Sequence, residues 1–136
     1  MNSTIGLHHV LLTVRDLTCS TAFYEDLLGL RKIKEIPDDG IAGAKVLFAL
    51  PDGRLLGLVS HRTQSGEAFD EHRIGLDHLA LSVPVEDLPT WGERLSAAGV
   101  AYSPPAPSAV GDPLIVFRDP DNIQLQLYGI SKPIRA

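Results

Sequence analysis

The chain repeats itself at a fixed interval. Leu7-His8-His9-Val10-Leu11-Leu12-Thr13-Val14 is answered by Leu76-Asp77-His78-Leu79-Ala80-Leu81-Ser82-Val83, which sets His9 and His78 69 residues apart. The interval returns later in each half. Val46-Leu47-Phe48-Ala49-Leu50-Pro51-Asp52-Gly53 corresponds to Ile115-Val116-Phe117-Arg118-Asp119-Pro120-Asp121-Asn122. A repeat that holds register across a half-chain means two copies of one structural unit. It also predicts a pseudo-two-fold relation between the two histidines, and so a place where a shared site can form.

Each copy would bury little surface alone, so 136 residues suit two small halves that share a core. A hydrophobic fraction of 44% with 21% charged residues is that of a globular chain. The net charge of −5, with Lys and Arg scattered, excludes the basic stripe that nucleic-acid binding needs. No apolar run is long enough to span a bilayer, so no membrane partner is expected. The opening Met-Asn-Ser-Thr-Ile-Gly has neither a basic nor a long apolar region, so no signal peptide is expected. With Cys19 as the single cysteine, the expected compartment is the reducing cytoplasm.

Residues 7–14 and 76–83 read as strands, short and rich in aliphatic residues. Period-two alternation puts His9, Leu11 and Thr13 on one face and Val10, Leu12 and Val14 on the other. The second copy divides alike, with His78, Ala80 and Ser82 opposed to Leu79, Leu81 and Val83. The uniformly apolar faces are expected to pack on helices and the histidine faces to line a cavity. Asp16 is an expected N-cap for a helix from Leu17, with Leu17, Ala22 or Thr21, Tyr24 and Leu28 on its apolar stripe and Gly29 at its C-terminal end. Asp87 is the expected cap of the second helix, with Pro89 in its first turn, a stripe of Trp91, Leu95 and Ala98, and Gly99 ending it. Each copy is expected to close with a hairpin whose turn uses Gly53 or Asn122. Additional strands are expected near 31–36 and 100–103, giving β-α-β-β-β twice. The boundaries read as 1–60 for the first module, 61–75 for a linker, 76–130 for the second module and 131–136 for a tail. Residues 104–113, with four prolines, read as an irregular loop over a cavity mouth.

Four stretches taken together, His9 to Asp16, Ala22-Phe23-Tyr24-Glu25-Asp26-Leu27-Leu28-Gly29-Leu30, Asp77-His78, and Phe117-Arg118-Asp119-Pro120-Asp121, resemble the vicinal oxygen chelate family. This is the glyoxalase, bleomycin-resistance and extradiol-dioxygenase group, and the resemblance runs from about residue 7 to 128. It implies an α+β fold in which two βαβββ modules form a curled, cup-shaped mixed sheet with helices outside, usually in a homodimer. It also implies a divalent metal in the enzymes of the family, held by the first and last strands of the modules. Carried over, those positions are His9, His78 and Gln126, with Gly57 as the fourth; 126 − 57 is again 69.

Two imidazoles facing one cavity suit Zn, Ni, Fe or Mn. Imidazole ligates as the neutral ring, however, and Gln126 stands where a Glu is usual, while Gly57 supplies nothing. Metal ligation and a pocket wall therefore both remain open for these residues. The wall would comprise His9, Thr13, Leu55, Gly57 and Val59 from the first copy. From the second it would take His78, Leu114, Val116, Gln124, Gln126 and Tyr128. With no side chain at 57 the cavity is expected to be roomy and mostly apolar, which suits a small organic ligand. No nucleophile–base pair and no phosphate loop stand out. Two functions follow. One is a bleomycin-resistance-like protein that sequesters an aromatic or drug-like natural product. The other is a metal-dependent enzyme of glyoxalase, dioxygenase or thiol-transferase type. Pairing of the modules within one chain or by swapping between chains fits the repeat equally.

Overall fold

A computed structural model describes residues 3–131. The chain divides into two compact units at Gly66/Glu67. The first runs β1 (His9–Thr13), α1 (Leu17–Ala22), β2 (Arg31–Ile36), β3 (Ala44–Ala49) and β4 (Leu55–Ser60). The second runs β5 (Leu79–Pro84), α2 (Leu88–Ala97), β6 (Ala106–Pro107), β7 (Pro113–Arg118) and β8 (Gln124–Ile130). Each unit forms one four-stranded mixed sheet, ordered β1-β4-β3-β2 and β5-β8-β7-β6. In each, the first strand lies parallel to the last and the other pairs are antiparallel. The architecture is α+β, and the repeat is structural: Leu11 faces Gly57 in β1/β4, and Ala80 faces Gln126 in β5/β8, both pairs 69 residues apart.

In the first unit alternation sends Leu12, Val14, Val46, Phe48, Leu56 and Leu58 into the core with Tyr24 and Leu28. Burying each large aliphatic or aromatic side chain contributes about 1.5–3 kcal/mol, so this face dominates the unit's stability. Asp16 caps α1 as expected, its carboxylate accepting from the Cys19 N–H at 3.0 Å. The helix then differs from expectation. It widens into a π turn over Phe23–Leu27, with the Leu28 N–H reaching back to the Phe23 carbonyl at 3.1 Å. The buried series is Ser20, Tyr24 and Leu28; Leu17 is only half-buried and Ala22 is exposed. Gly29 ends the turn at φ +71°, a conformation that glycine takes without steric penalty.

The second core is Leu88, Leu95, Ile115, Phe117, Ile123, Leu125 and Leu127. Asp87 does not cap α2: a 3₁₀ turn over Val85–Asp87 runs into the helix, and Asp87 is itself helical with no side-chain cap bond. Trp91 is half-buried and Ala98 exposed, whereas Gly92 is buried. The Tyr102 ring explains the shift. A Cβ at 92 would lie 3.0 Å from it, so the absence of a side chain lets the ring settle on the helix. The strand expected at 100–103 is reduced to a single bridge, Tyr102 to Phe117, followed by the two-residue β6. Pro104, Pro105 and Pro107 lack the N–H groups a ladder needs. Ser103 partly replaces them, its N–H donating to the Val116 carbonyl and its hydroxyl accepting from the Val116 N–H, each at 2.9 Å. Residues 129–130 belong to β8, and 132–136 of the expected tail lie outside the described residues.

The closing hairpins share their wiring. Leu50 N–H donates to the Arg54 carbonyl and Gly53 N–H to the Leu50 carbonyl. Asp119 and Ile123, then Asn122 and Asp119, repeat both bonds. Gly53 and Asn122 both have positive φ, as the turn requires. The second turn has an extra tie. The buried Asp119 carboxylate accepts from the N–H groups of Asp121 at 2.9 Å and Ile123 at 2.8 Å. Within the first unit, Gln64 donates to the Val14 carbonyl. Phe69 exchanges bonds with Asp121 and Asn122 of the second.

Candidate functional site

The helix-free face of each sheet carries the residues singled out in the sequence. In the first unit the rows are His9–Leu55–Ala49, Leu11–Gly57–Leu47 and Thr13–Val59–Lys45. His9 and Thr13 are exposed, Leu55 half-buried and Val59 buried. The room expected over Gly57 is already filled. A Cβ there would lie 2.8 Å from Leu47 Cδ2 and 3.0 Å from Leu11 Cγ, because both leucines lean across the glycine. Gly57 is thus a seat for two apolar side chains. His8 is exposed, and its Nδ1 lies 2.7 Å from His9 Nδ1. One ring must donate and the other accept, so the pair holds one proton between them and leaves both Nε2 atoms outside that bond.

In the second unit the rows are Ala80–Gln126–Val116 and Ser82–Tyr128–Leu114, with Gln124 opposite Arg118. His78 immediately precedes β5 on the same alternation. Its Nδ1 is 2.7 Å from the carboxylate of Asp77, which selects the tautomer with the proton on Nδ1 and the lone pair on Nε2. Strand alternation does not single out Asp77 as the partner of His78. The signal was there, since Asp77 and His8 are 69 residues apart: in each copy the residue before the histidine occupies its Nδ1.

Gln126 is the chemically unusual member. It is 9% exposed, its Nε2 donates to Gln124 Oε1 at 3.1 Å, and its Oε1 is closed to solvent without a hydrogen-bond partner. Such an oxygen costs about 1–3 kcal/mol relative to a satisfied one. The cation on the same face is engaged. Arg118 grips Glu71 through two bonds of 2.6 and 3.0 Å and donates to the Asn122 carbonyl. The guanidinium holds the Glu71 carboxyl down to about 2. Beside it, Asp70 raises the pKa of His72 through a 2.8 Å contact.

A divalent ion on the expected ligands would meet two neutral imidazoles and a neutral amide. Among the described residues the acid–histidine group compact enough for an ion is Asp70, Glu71 and His72, and Glu71 is committed to Arg118. The ligand set His9, His78 and Gln126 therefore offers two imidazoles and an amide oxygen but no carboxylate to offset the charge of an ion.

A model of the Glyoxalase/Bleomycin resistance protein/Dioxygenase superfamily matches residues 6–127. The chain belongs to this superfamily. A superfamily domain from Frankia sp. EAN1pec is 36% identical, with 93% of this chain and 98% of that one covered and a TM-score of 0.82. The fosfomycin resistance protein FosX of Listeria innocua is 27% identical over 90% of this chain and 88% of its own. The metallothiol transferase FosB of Bacillus licheniformis is also 27% identical, over 93% and 77%. A FosX variant from Listeria monocytogenes, solved with Mn(II) and 1S,2S-dihydroxypropylphosphonic acid, is 25% identical over 94% and 93%, with a TM-score of 0.71. Superfamily membership accounts for the duplicated β-α-β-β-β order. No helix among the described residues is long and apolar enough to cross a membrane.

Proposed function

We propose that the protein binds a small organic molecule on the helix-free faces of its sheets, in the manner of the superfamily's bleomycin-resistance branch, and holds no resident catalytic metal. The observation that carries this reading is Gln126: its buried oxygen lies on the helix-free face and has no partner within the protein, so a donor brought by a ligand can satisfy it. The surroundings suit an aromatic or drug-like compound. On the second sheet Val116 and Leu114 give apolar area and His78, Gln124 and Tyr128 polar contacts, and on the first sheet Leu55 and Val59 with His9 and Thr13 offer the same mixture. The protein acts as a cytoplasmic homodimer on this reading, a compartment supported by Cys19 having no second cysteine to pair with.

A second reading is a metal-dependent enzyme of glyoxalase, dioxygenase or thiol-transferase type using His9, His78 and Gln126. It is favoured by the metallothiol transferase FosB and the Mn(II)-bound FosX among the relatives, and by the bare Nε2 that Asp77 secures on His78. On this reading the substrate supplies the missing negative charge.

Metal analysis of protein purified without a chelating tag separates the two. Metal-free protein that binds an aromatic compound at micromolar strength supports the first reading and excludes the second. Stoichiometric Zn, Ni, Fe or Mn that disappears in both His9→Ala and His78→Ala overturns the first. Gln126→Glu is the companion variant: Mn(II) affinity that appears only there identifies Gln126 as the residue that withholds the charge.

A further inference from the structure

We propose that the helix-free face of the second sheet is a subsite for a hydrogen-bond donor on an uncharged ligand, received by Gln126 Oε1, with Gln124 as the positioning residue that aims the amide. The proposal rests on the small-molecule-binding reading and states the ligand's chemistry at this point. The matching group is a phenolic or alcoholic hydroxyl or an amide N–H.

Three observations converge. First, one N–H of Gln126 Nε2 is held by Gln124 Oε1, while Oε1 is the atom of the amide left without a partner. An amide oxygen only accepts, so its partner must donate. Second, the cross-strand neighbours of Gln126 are Ala80 and Val116, neither of which has a side-chain donor, so the sheet does not satisfy the oxygen itself. His78 directs its Nδ1 proton to Asp77 and so does not donate it to Gln126. Third, the cation on this face is withdrawn, since Arg118 is clasped by Glu71 and the Asn122 carbonyl. A carboxylate or phosphonate placed against Gln126 Oε1 would set lone pair against lone pair, and Arg118, the cation on this face among the described residues, is already clasped. The ligand displaces the side-chain atoms that now close the oxygen off. A ligand with a donor then recovers a bond the free protein lacks, and a ligand without one gains nothing there. Sites of this kind discriminate strongly between partners that differ by one hydroxyl.

Phenol, anisole and benzoate are matched probes, differing in donor and charge on one ring. Binding to the full chain is read by calorimetry and by the side-chain amide resonances of Gln126. Phenol is expected to bind at least about tenfold more tightly than anisole, which corresponds to one hydrogen bond. Benzoate is expected to be weakest. Gln126→Met should erase the phenol–anisole gap. Gln124→Glu, which can only accept from Gln126 Nε2, should keep it, and Gln124→Leu, which frees the amide to turn, should shrink it. A simple structural role for Gln124 would move both of its variants alike. Equal binding of phenol and anisole overturns the donor subsite and leaves the small-molecule reading standing. Tightest binding by benzoate overturns the assignment of charge. Binding of none of the three overturns both the subsite and the reading beneath it.

Discussion

Replacing Gln126 with Met is expected to stabilise the unliganded protein while abolishing its preference for donor ligands. Met has nearly the same length and flexibility as Gln and no polar atoms to satisfy, so the packing around residue 126 is preserved. The variant removes a buried oxygen with no partner, a gain of about 1–3 kcal/mol. It also loses the 3.1 Å bond from Nε2 to Gln124, worth about 0.5–1.5 kcal/mol. Gln124 is only half-buried, so water can take over its oxygen. The balance is a gain of about 1 kcal/mol, or a rise of about 3–5 °C in Tm for a chain of this length. Urea unfolding is the direct assay: the midpoint should rise with an unchanged slope, which isolates stability from changes in compactness. A midpoint that falls by the equivalent of about 1 kcal/mol or more would show that the amide is structural cement. The reasoning from its unpaired oxygen would then fail. A gain in stability together with a loss of ligand discrimination is the exchange expected where a binding site holds an unsatisfied group.

Gly57→Ala forces Leu47 and Leu11 aside and is expected to cost about 1–2 kcal/mol; in the background of Leu47→Ala the same change should cost clearly less, and additive effects would refute the contact. Glu71, held near 2 against an ordinary 4.5, contributes stability that is complete above about pH 4.5 and fades as pH falls toward 2. Glu71→Gln should accordingly flatten the acid limb between pH 5 and pH 2 in urea midpoints, and an unchanged limb counts against the pair. Asp16→Ala should lower stability by about 1 kcal/mol through loss of the α1 cap, with Asp16→Asn close to wild type in the same unfolding assay.

What was legible in the sequence was what depends on near neighbours and on alternation. The 69-residue interval exposed the duplication, and the Asp16 cap and the positive φ at Gly53 and Asn122 follow from local rules. Parity put Leu12 and Val14 in the first core. The departures have other causes. Three prolines broke the ladder that a repeat of β2 would have made, a local signal outweighed by the analogy between copies. The Tyr102 ring on Gly92 and the leucines over Gly57 depend on side chains distant in sequence, which no periodicity records. At the site, alternation put Gln124 and Gln126 on one face. The direction of their amides, the clasp of Arg118 by Glu71 and the tautomer set by Asp77 are properties of packed side chains.

The turn that opens β8 has a consequence for how such a protein changes its ligand. Asp119, buried beneath the turn, ties down the amides of Asp121 and Ile123 and so fixes where β8 begins. Side chains alternate along a strand, so one residue gained or lost there would rotate Gln124, Gln126 and Tyr128 toward the helix and bring Leu125 and Leu127 out. The ligand preference of the second sheet is therefore open to drift by substitution at every other position of β8 and closed to insertion or deletion at its start. A lineage can rewrite what this wall recognises one alternate residue at a time, for as long as the carboxylate of Asp119 stays in place.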